Sequence, residues 1–326
     1  MVSISLEAEH YDLQRSLEPS FLSSLYENPA RGRWIKIAGK LNGVRVEQDG
    51  KLLKASYSGR IDRSKLKELT LLETGLWHEA FESRISEAPR SFRPILEALA
   101  SEYPGVRIPI APHDLQHLFL SILLSKRADY RLVRGWCAAI WKAVDDDLER
   151  LMSLSVKELE KITRSYQLHY ALKSIRSAVE LFGSLRSLHE RVLGMRPEVA
   201  RAMLMRVWGV GHKVADSLIL SAFKATRFAP CDTHLVKLIK ALRPIRGFKL
   251  PDEKLCMRYA CSDEPVEGLP SCPQYRQCLR GKLSSSLGEL AGWFQTLAYI
   301  HGRLYCRKVK PRCSRCPLRS LCSSYS

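Results

Sequence analysis

Apolar and polar positions change their period along this chain. Arg33–Ala38, Gly43–Gln48 and Lys51–Tyr57 alternate or are rich in β-formers, with turn signals at Lys40–Gly43 and Gln48–Gly50 between them. That is the period-two pattern of antiparallel strands. Leu22–Tyr26 is helix-like, and Ala88–Pro94 carries the prolines of a linker. From Ile95 to Leu242 the pattern is nearly all helical, and His117–Leu124 is apolar enough to be a buried helix. Two further helical runs, about Val199–Trp208 and one carrying Val214, Leu218, Ala222 and Phe223, meet at Gly209-Val210-Gly211. Residues 243–283 lose the period among prolines and glycines, and Leu290–Cys306 resumes it. The fold expected is α+β. A small N-terminal antiparallel sheet domain (1–87) precedes a two-lobed, mostly helical core (95–242). An insertion (243–283) and a C-terminal helix with a cysteine loop (284–326) follow. Trp34, Trp77, Trp136 and Trp141 read as core side chains, and Asp145–Asp147 as a solvated helix end.

The formal net charge is +18 and the pI about 9.6, with the basic residues spread along the chain. Such a field suits a nucleic-acid partner, through phosphate neutralisation and steering. The N-terminus lacks a basic stretch followed by a long apolar run, and no segment approaches the length of a membrane span. A monomeric intracellular protein is expected. Its ten cysteines then favour metal ligation over a disulfide framework.

Gly209, Val210, Gly211 and His212 form the candidate anion site. A glycine hairpin that opens a helix leaves backbone amides free and points the positive helix end at one phosphate. Lys213 falls in the first turn of that helix. Asp232 reads as the N-cap of the next helical run, ahead of Leu235 and Val236.

The run Gly-Val-Gly-His-Lys-Val-Ala-Asp, followed by Cys-Asp-Thr-His-Leu, resembles the helix-hairpin-helix DNA glycosylases. Members with lysine at this position, in the endonuclease III and 8-oxoguanine glycosylase branches, cut both the glycosidic bond and the DNA strand. The resemblance implies that Lys213 attacks the sugar C1′ of a flipped nucleotide and that Asp232 assists. Only a neutral amine attacks, so desolvation and neighbouring positive charge must favour that form. Two other readings stay open. One is a monofunctional glycosylase in which Asp232 activates water, and the other is a silent lesion-binding protein. In the family a glutamine or asparagine often fills the hole left by the extruded base. Here Lys126 and Arg127 stand at that helix end. Tyr170–Ile175 resembles the helix that packs before the hairpin.

Cys306, Cys313, Cys316 and Cys322, preceded by His301-Gly-Arg303, resemble the endonuclease III iron–sulfur loop, which implies a [4Fe–4S] cluster. Zinc is the alternative. Between the first two cysteines, Arg307, Lys308 and Lys310 would face DNA phosphates. In the insertion, Cys256, Cys261, Cys272 and Cys278 are compatible with a structural zinc, with disulfides or with free thiols. The N-terminal sheet resembles the 8-oxoguanine and 3-methyladenine branches. The cysteine loop resembles endonuclease III. The base removed is left open between them.

Overall fold

The computed structural model describes residues 1–163, 165–307 and 309–324. Five antiparallel strands form one sheet: β1 (Val2–Glu7), β2 (Tyr26–Ala30), β3 (Arg33–Lys36), β4 (Arg45–Asp49) and β5 (Leu52–Tyr57), in the order β1-β5-β4-β3-β2. β3, β4 and β5 lie where the alternation predicts them. β2 carries Pro29 and a register shift between Glu27 and Ala30, which an edge strand tolerates. β1 closes the other edge, with Ile4 opposite Ala55. Two helices accompany the sheet, α1 (Leu13–Leu17) and α2 (Arg63–Thr74), and Phe21–Leu25 forms a 3-10 turn.

The helical body follows as α3 (Arg93–Glu102), α4 (Leu115–Leu124), α5 (Tyr130–Val144), α6 (Leu148–Ser153), α7 (Val156–Thr163), α8 (Gln167–Phe182) and α9 (Leu185–Gly194). Then come α10 (Pro197–Leu204), α11 (His212–Ala222), α12 (Thr233–Leu242), α13 (Glu253–Cys256), α14 (Leu279–Leu287) and α15 (Leu290–Leu304). Among the described residues, no helix is long and apolar enough to cross a membrane.

The sheet shares its core with the helices. Ile4, Trp34, Val46 and Leu53 belong to one continuous apolar cluster with Leu118, Phe119, Trp141 and Leu218. A buried polar knot fastens the two parts. The Lys36 ammonium on β3 donates to Asp114 at 2.6 Å and to Glu73 on α2. Tyr26 also donates to Glu73. Burial pushes the Glu73 carboxyl up, Lys36 opposes this, and Asp114 adds to it.

Two expectations need correction here. Asp146 is no solvated helix end: it accepts from the Gly39 amide at 2.7 Å and pairs with His117 at 2.9 Å. Its neighbours cap helices, Asp145 ending α5 and Asp147 starting α6. The Ala88–Pro94 segment is no free linker either, since Ala88 and Phe92 are buried.

A second core gathers α3, α12, α14 and α15, with Phe92, Leu235, Trp293, Phe294 and Leu318 among its side chains. Side chains from both cores line the cleft described next.

Candidate nucleic-acid interface and active cleft

α10 ends at Leu204, and Pro197 at its start fits a position that needs no amide hydrogen. The chain then turns through Gly209, whose φ of +77° favours glycine. Gly211 is extended (φ −94°, ψ 175°) and serves as the N-cap of α11 without a side-chain cap, so only one of the two glycines needs the left-handed conformation. Val210 is buried and His212 is partly buried. The Lys126 ammonium donates to the Gly209 carbonyl at 2.8 Å. Burial first, and Arg127 second, push Lys126 below the ordinary lysine range. Lys126 therefore braces the hairpin. Arg127, at a left-handed φ of 60°, instead lines the cleft. Beside the hairpin Tyr170 stacks on Trp208 (6.0 Å, 9°), and Lys173 lies over the indole. The Tyr170 and Trp208 rings are 50% and 41% exposed, so Tyr170 is not simply a core contact.

A buried ion pair sets the hairpin's helices against each other, and a third helix adds a second cation to it. Arg201 on α10 forks onto Asp216 on α11 at 2.6 and 3.2 Å, and both are fully buried. Arg280, from α14, approaches the same carboxylate at 3.6 Å. Asp216 is thus the structural member of the Lys-Val-Ala-Asp run.

Lys213 and Asp232 line one cavity of about 550 Å³. Arg127, His234, Tyr299 and Arg303 share it, and Ser16–Phe21 of the N-terminal region closes one side. Among the described residues, no hydrogen bond or ion pair engages the Lys213 side chain. Asp232 is a true N-cap: one oxygen accepts from the Leu235 amide at 2.8 Å. The other accepts from Gln295 Nε2 at 3.1 Å. Burial holds His234 below the ordinary imidazole range against the opposing pull of Asp232. Gln295 and Tyr299 went unmarked in the sequence, and Arg303 was noted only as part of the run before the cysteine loop. A glutamine in the apolar run Trp293–Ala298 is the signal that could have found the first of them.

The C-terminal loop is fastened to the same wall. Lys237 donates to the Cys306 carbonyl at 2.7 Å, and the Ser323 amide to that of Ala241 at 2.9 Å. His301 is buried between the Tyr103 hydroxyl and the Cys316 sulfur, at 3.2 and 3.3 Å. Cys306, Cys313, Cys316 and Cys322 are partly buried neighbours. Burial foremost, and the other three sulfurs besides, push the Cys316 thiol up, while the Leu318 amide opposes this. Four soft donors on one short loop suit an iron–sulfur cluster chemically. Among the described residues, no group of three or more His, Cys, Asp or Glu side chains has converged to hold a metal ion. Arg307 and Lys310 are exposed on this loop, and Lys308 lies outside the described residues. The insertion cysteines Cys256, Cys261, Cys272 and Cys278 line a separate small cavity behind the hairpin.

No protein-family profile matches the chain. Endonuclease III of Sulfolobus acidocaldarius is 28% identical over 125 residues, which are 38% of this chain and 45% of that protein. The chain therefore matches less than half the length of this relative. The Clostridium acetobutylicum 8-oxoguanine glycosylase/lyase, solved with DNA containing cytosine opposite 8-oxoguanine, superposes with a TM-score of 0.66 at 15% identity. That match covers 92% of this chain and 97% of the other. The 3-methyladenine DNA-glycosylase of Archaeoglobus fulgidus superposes with a TM-score of 0.62 at 11% identity, covering 93% and 99%. Sheet, helical core and cleft together thus have the fold of the helix-hairpin-helix DNA glycosylases.

Proposed function

We propose that this chain is a DNA base-excision glycosylase with strand-cleaving lyase activity, acting on double-stranded DNA that holds a damaged or mispaired base. One observation carries the reading: an unengaged lysine amine and a fastened carboxylate line the same cleft beside a glycine hairpin. The hairpin amides of Gly209, Gly211 and His212 would grip one phosphate, with the α11 dipole behind them, while the Val210 amide closes the turn onto the Val207 carbonyl at 3.1 Å. The target nucleotide must leave the stack, since its C1′ is otherwise unreachable.

Lys213 Nζ then attacks C1′. The bond to the base breaks, and the base leaves with a proton. The Asp232 carboxylate faces the positive charge that develops on the sugar. Its two hydrogen bonds fix its direction before substrate arrives. Ring opening gives a Schiff base on Lys213. Loss of the C2′ proton expels the 3′-phosphate, and water finally releases the lysine.

Cys306, Cys313, Cys316 and Cys322 would hold a [4Fe–4S] cluster, which would stiffen the loop. The chain's own Arg307 and Lys310 would then meet phosphates on that loop. The likeness to endonuclease III supports the cluster, and the donor set fits it.

The test is borohydride trapping on a panel of duplexes bearing 8-oxoguanine, thymine glycol, uracil opposite guanine, hypoxanthine or alkylated bases. At least one lesion is expected to give a covalent adduct that Lys213→Gln abolishes. Trapping that survives Lys213→Gln removes the nucleophile assignment. Base release without strand scission in the parent protein would instead favour the Asp232-activated water.

A further inference from the structure

The insertion places four cysteines around a point that already holds excess positive charge. Cys256 ends α13, and Cys278 is the N-cap of α14. Cys261 and Cys272 are brought side by side by a bridge between Ala260 and Ser271 and by the bond from the Cys272 amide to the Ser262 carbonyl. All four line one cavity of about 10 Å³, together with Arg201. Tyr275 lines the cavity too, close against the first turn of α14. Gly281 is needed there, because a Cβ would stand 2.0 Å from the Tyr275 carbonyl oxygen.

Behind the cysteines lie two guanidiniums, Arg201 and Arg280, each no more than 1% exposed. They share one buried carboxylate, Asp216. Arg201 Nη1 and Arg280 Nε and Nη2 are buried without a hydrogen-bond partner. An arginine keeps its charge in any surroundings, so burial with half a counter-ion each is costly. Neutral thiols or disulfides would leave that charge unanswered. Four thiolates on one divalent ion would answer it, since they leave negative charge in excess of the metal's own.

We infer that Cys256, Cys261, Cys272 and Cys278 bind a single structural zinc ion, whose thiolate shell neutralises Arg201 and Arg280 behind the DNA-gripping hairpin. The cavity has room for about one small ion or water. The sulfurs have not converged on one point, although all four cysteines line the same cavity. The consequence is mechanical. Arg201 and Asp216 stand on α10 and α11, the two arms of the hairpin, so the zinc would brace the element that presents Lys213. The assignment stands apart from the proposed reaction and can fail or hold without it.

The experiment is elemental analysis of the full-length protein purified without chelator, with zinc and iron counted separately. About one zinc per chain is expected. Cys272→Ser should lose the zinc and keep the iron, while Cys313→Ser should keep the zinc. Losing the zinc should also lower Tm, by roughly 5 °C. Should Cys272→Ser be insoluble, mercurial titration of the parent protein should release zinc in step with thiol modification. Absence of zinc in the parent, zinc that persists in Cys272→Ser, iron in place of zinc at these thiols, or an intact mass showing disulfides would each overturn the site.

Discussion

Gln295 Nε2 donates a hydrogen bond of 3.1 Å to the Asp232 oxygen that the helix cap leaves free. Both residues are buried, so the amide holds a carboxylate that solvent cannot orient. A hydrogen bond to a charged group is worth about 1.5–3 kcal/mol. Gln295→Leu should therefore slow base release roughly ten- to hundredfold, with DNA affinity almost unchanged. Single-turnover kinetics beside equilibrium binding would check this. Equal losses in both would mean that Gln295 supports the fold and not the acid.

Lys126 gives the second expectation. Its ammonium donates to the Gly209 carbonyl at 2.8 Å, a contact that holds the hairpin in place. Lys126→Met should weaken DNA binding about tenfold by loosening the hairpin. The salt dependence of binding should stay nearly the same, because no phosphate contact is lost. A slope shallower by about one unit would show that Lys126 touches phosphate instead.

The Lys36 knot predicts a large stability effect far from the cleft. Removing the ammonium leaves Glu73 and Asp114 facing each other without compensation. Lys36→Met should destabilise the chain by about 3–5 kcal/mol. Adding Glu73→Gln and Asp114→Asn should restore much of that in chemical denaturation. If the triple variant is no better than Lys36→Met alone, the loss comes from packing.

His78 makes the fold acid-sensitive. Its Nδ1–H faces the Glu79 carbonyl at 2.7 Å, and its Nε2 accepts from the Ile108 amide at 3.1 Å, which fixes the neutral ring. Burial first, and Arg107 besides, hold it down at about 4, against an ordinary value of 6.5. A depressed folded value means the unfolded chain takes up the proton first. The stabilisation is therefore complete above pH 6.5 and is lost as the pH falls from 6.5 towards 4. On the order of 2–3 kcal/mol should disappear over that window. His78→Gln should flatten that part of the stability curve. An unchanged curve would assign the acid loss elsewhere.

The sequence was legible where chemistry is local. The hairpin, the N-cap at Asp232 and the cysteine spacings are each written in a few consecutive residues. Strand β1 went unread although Val2, Ile4 and Leu6 alternate with serines, and Pro29 hid β2. Pairings across the fold were not legible. Nothing in a single chain announces that Arg201 and Arg280 meet one Asp216, or that Lys36 lies between Glu73 and Asp114. Lys126 and Arg127 are adjacent and alike in charge, yet a left-handed turn at Arg127 sends them to different tasks. The exposed stack of Tyr170 on Trp208 likewise depends on two helices meeting.

Helix α12 works as a lever between two unlike jobs. Asp232 stands at its first end, while Lys237 and Ala241, along its length and near its last turn, hold the cysteine loop. Ten residues of helix span only about 15 Å and flex little over that distance. Oxidative damage to the loop would therefore tilt the acid at the opposite tip, and the chain's tail would govern how squarely Asp232 meets an incoming sugar.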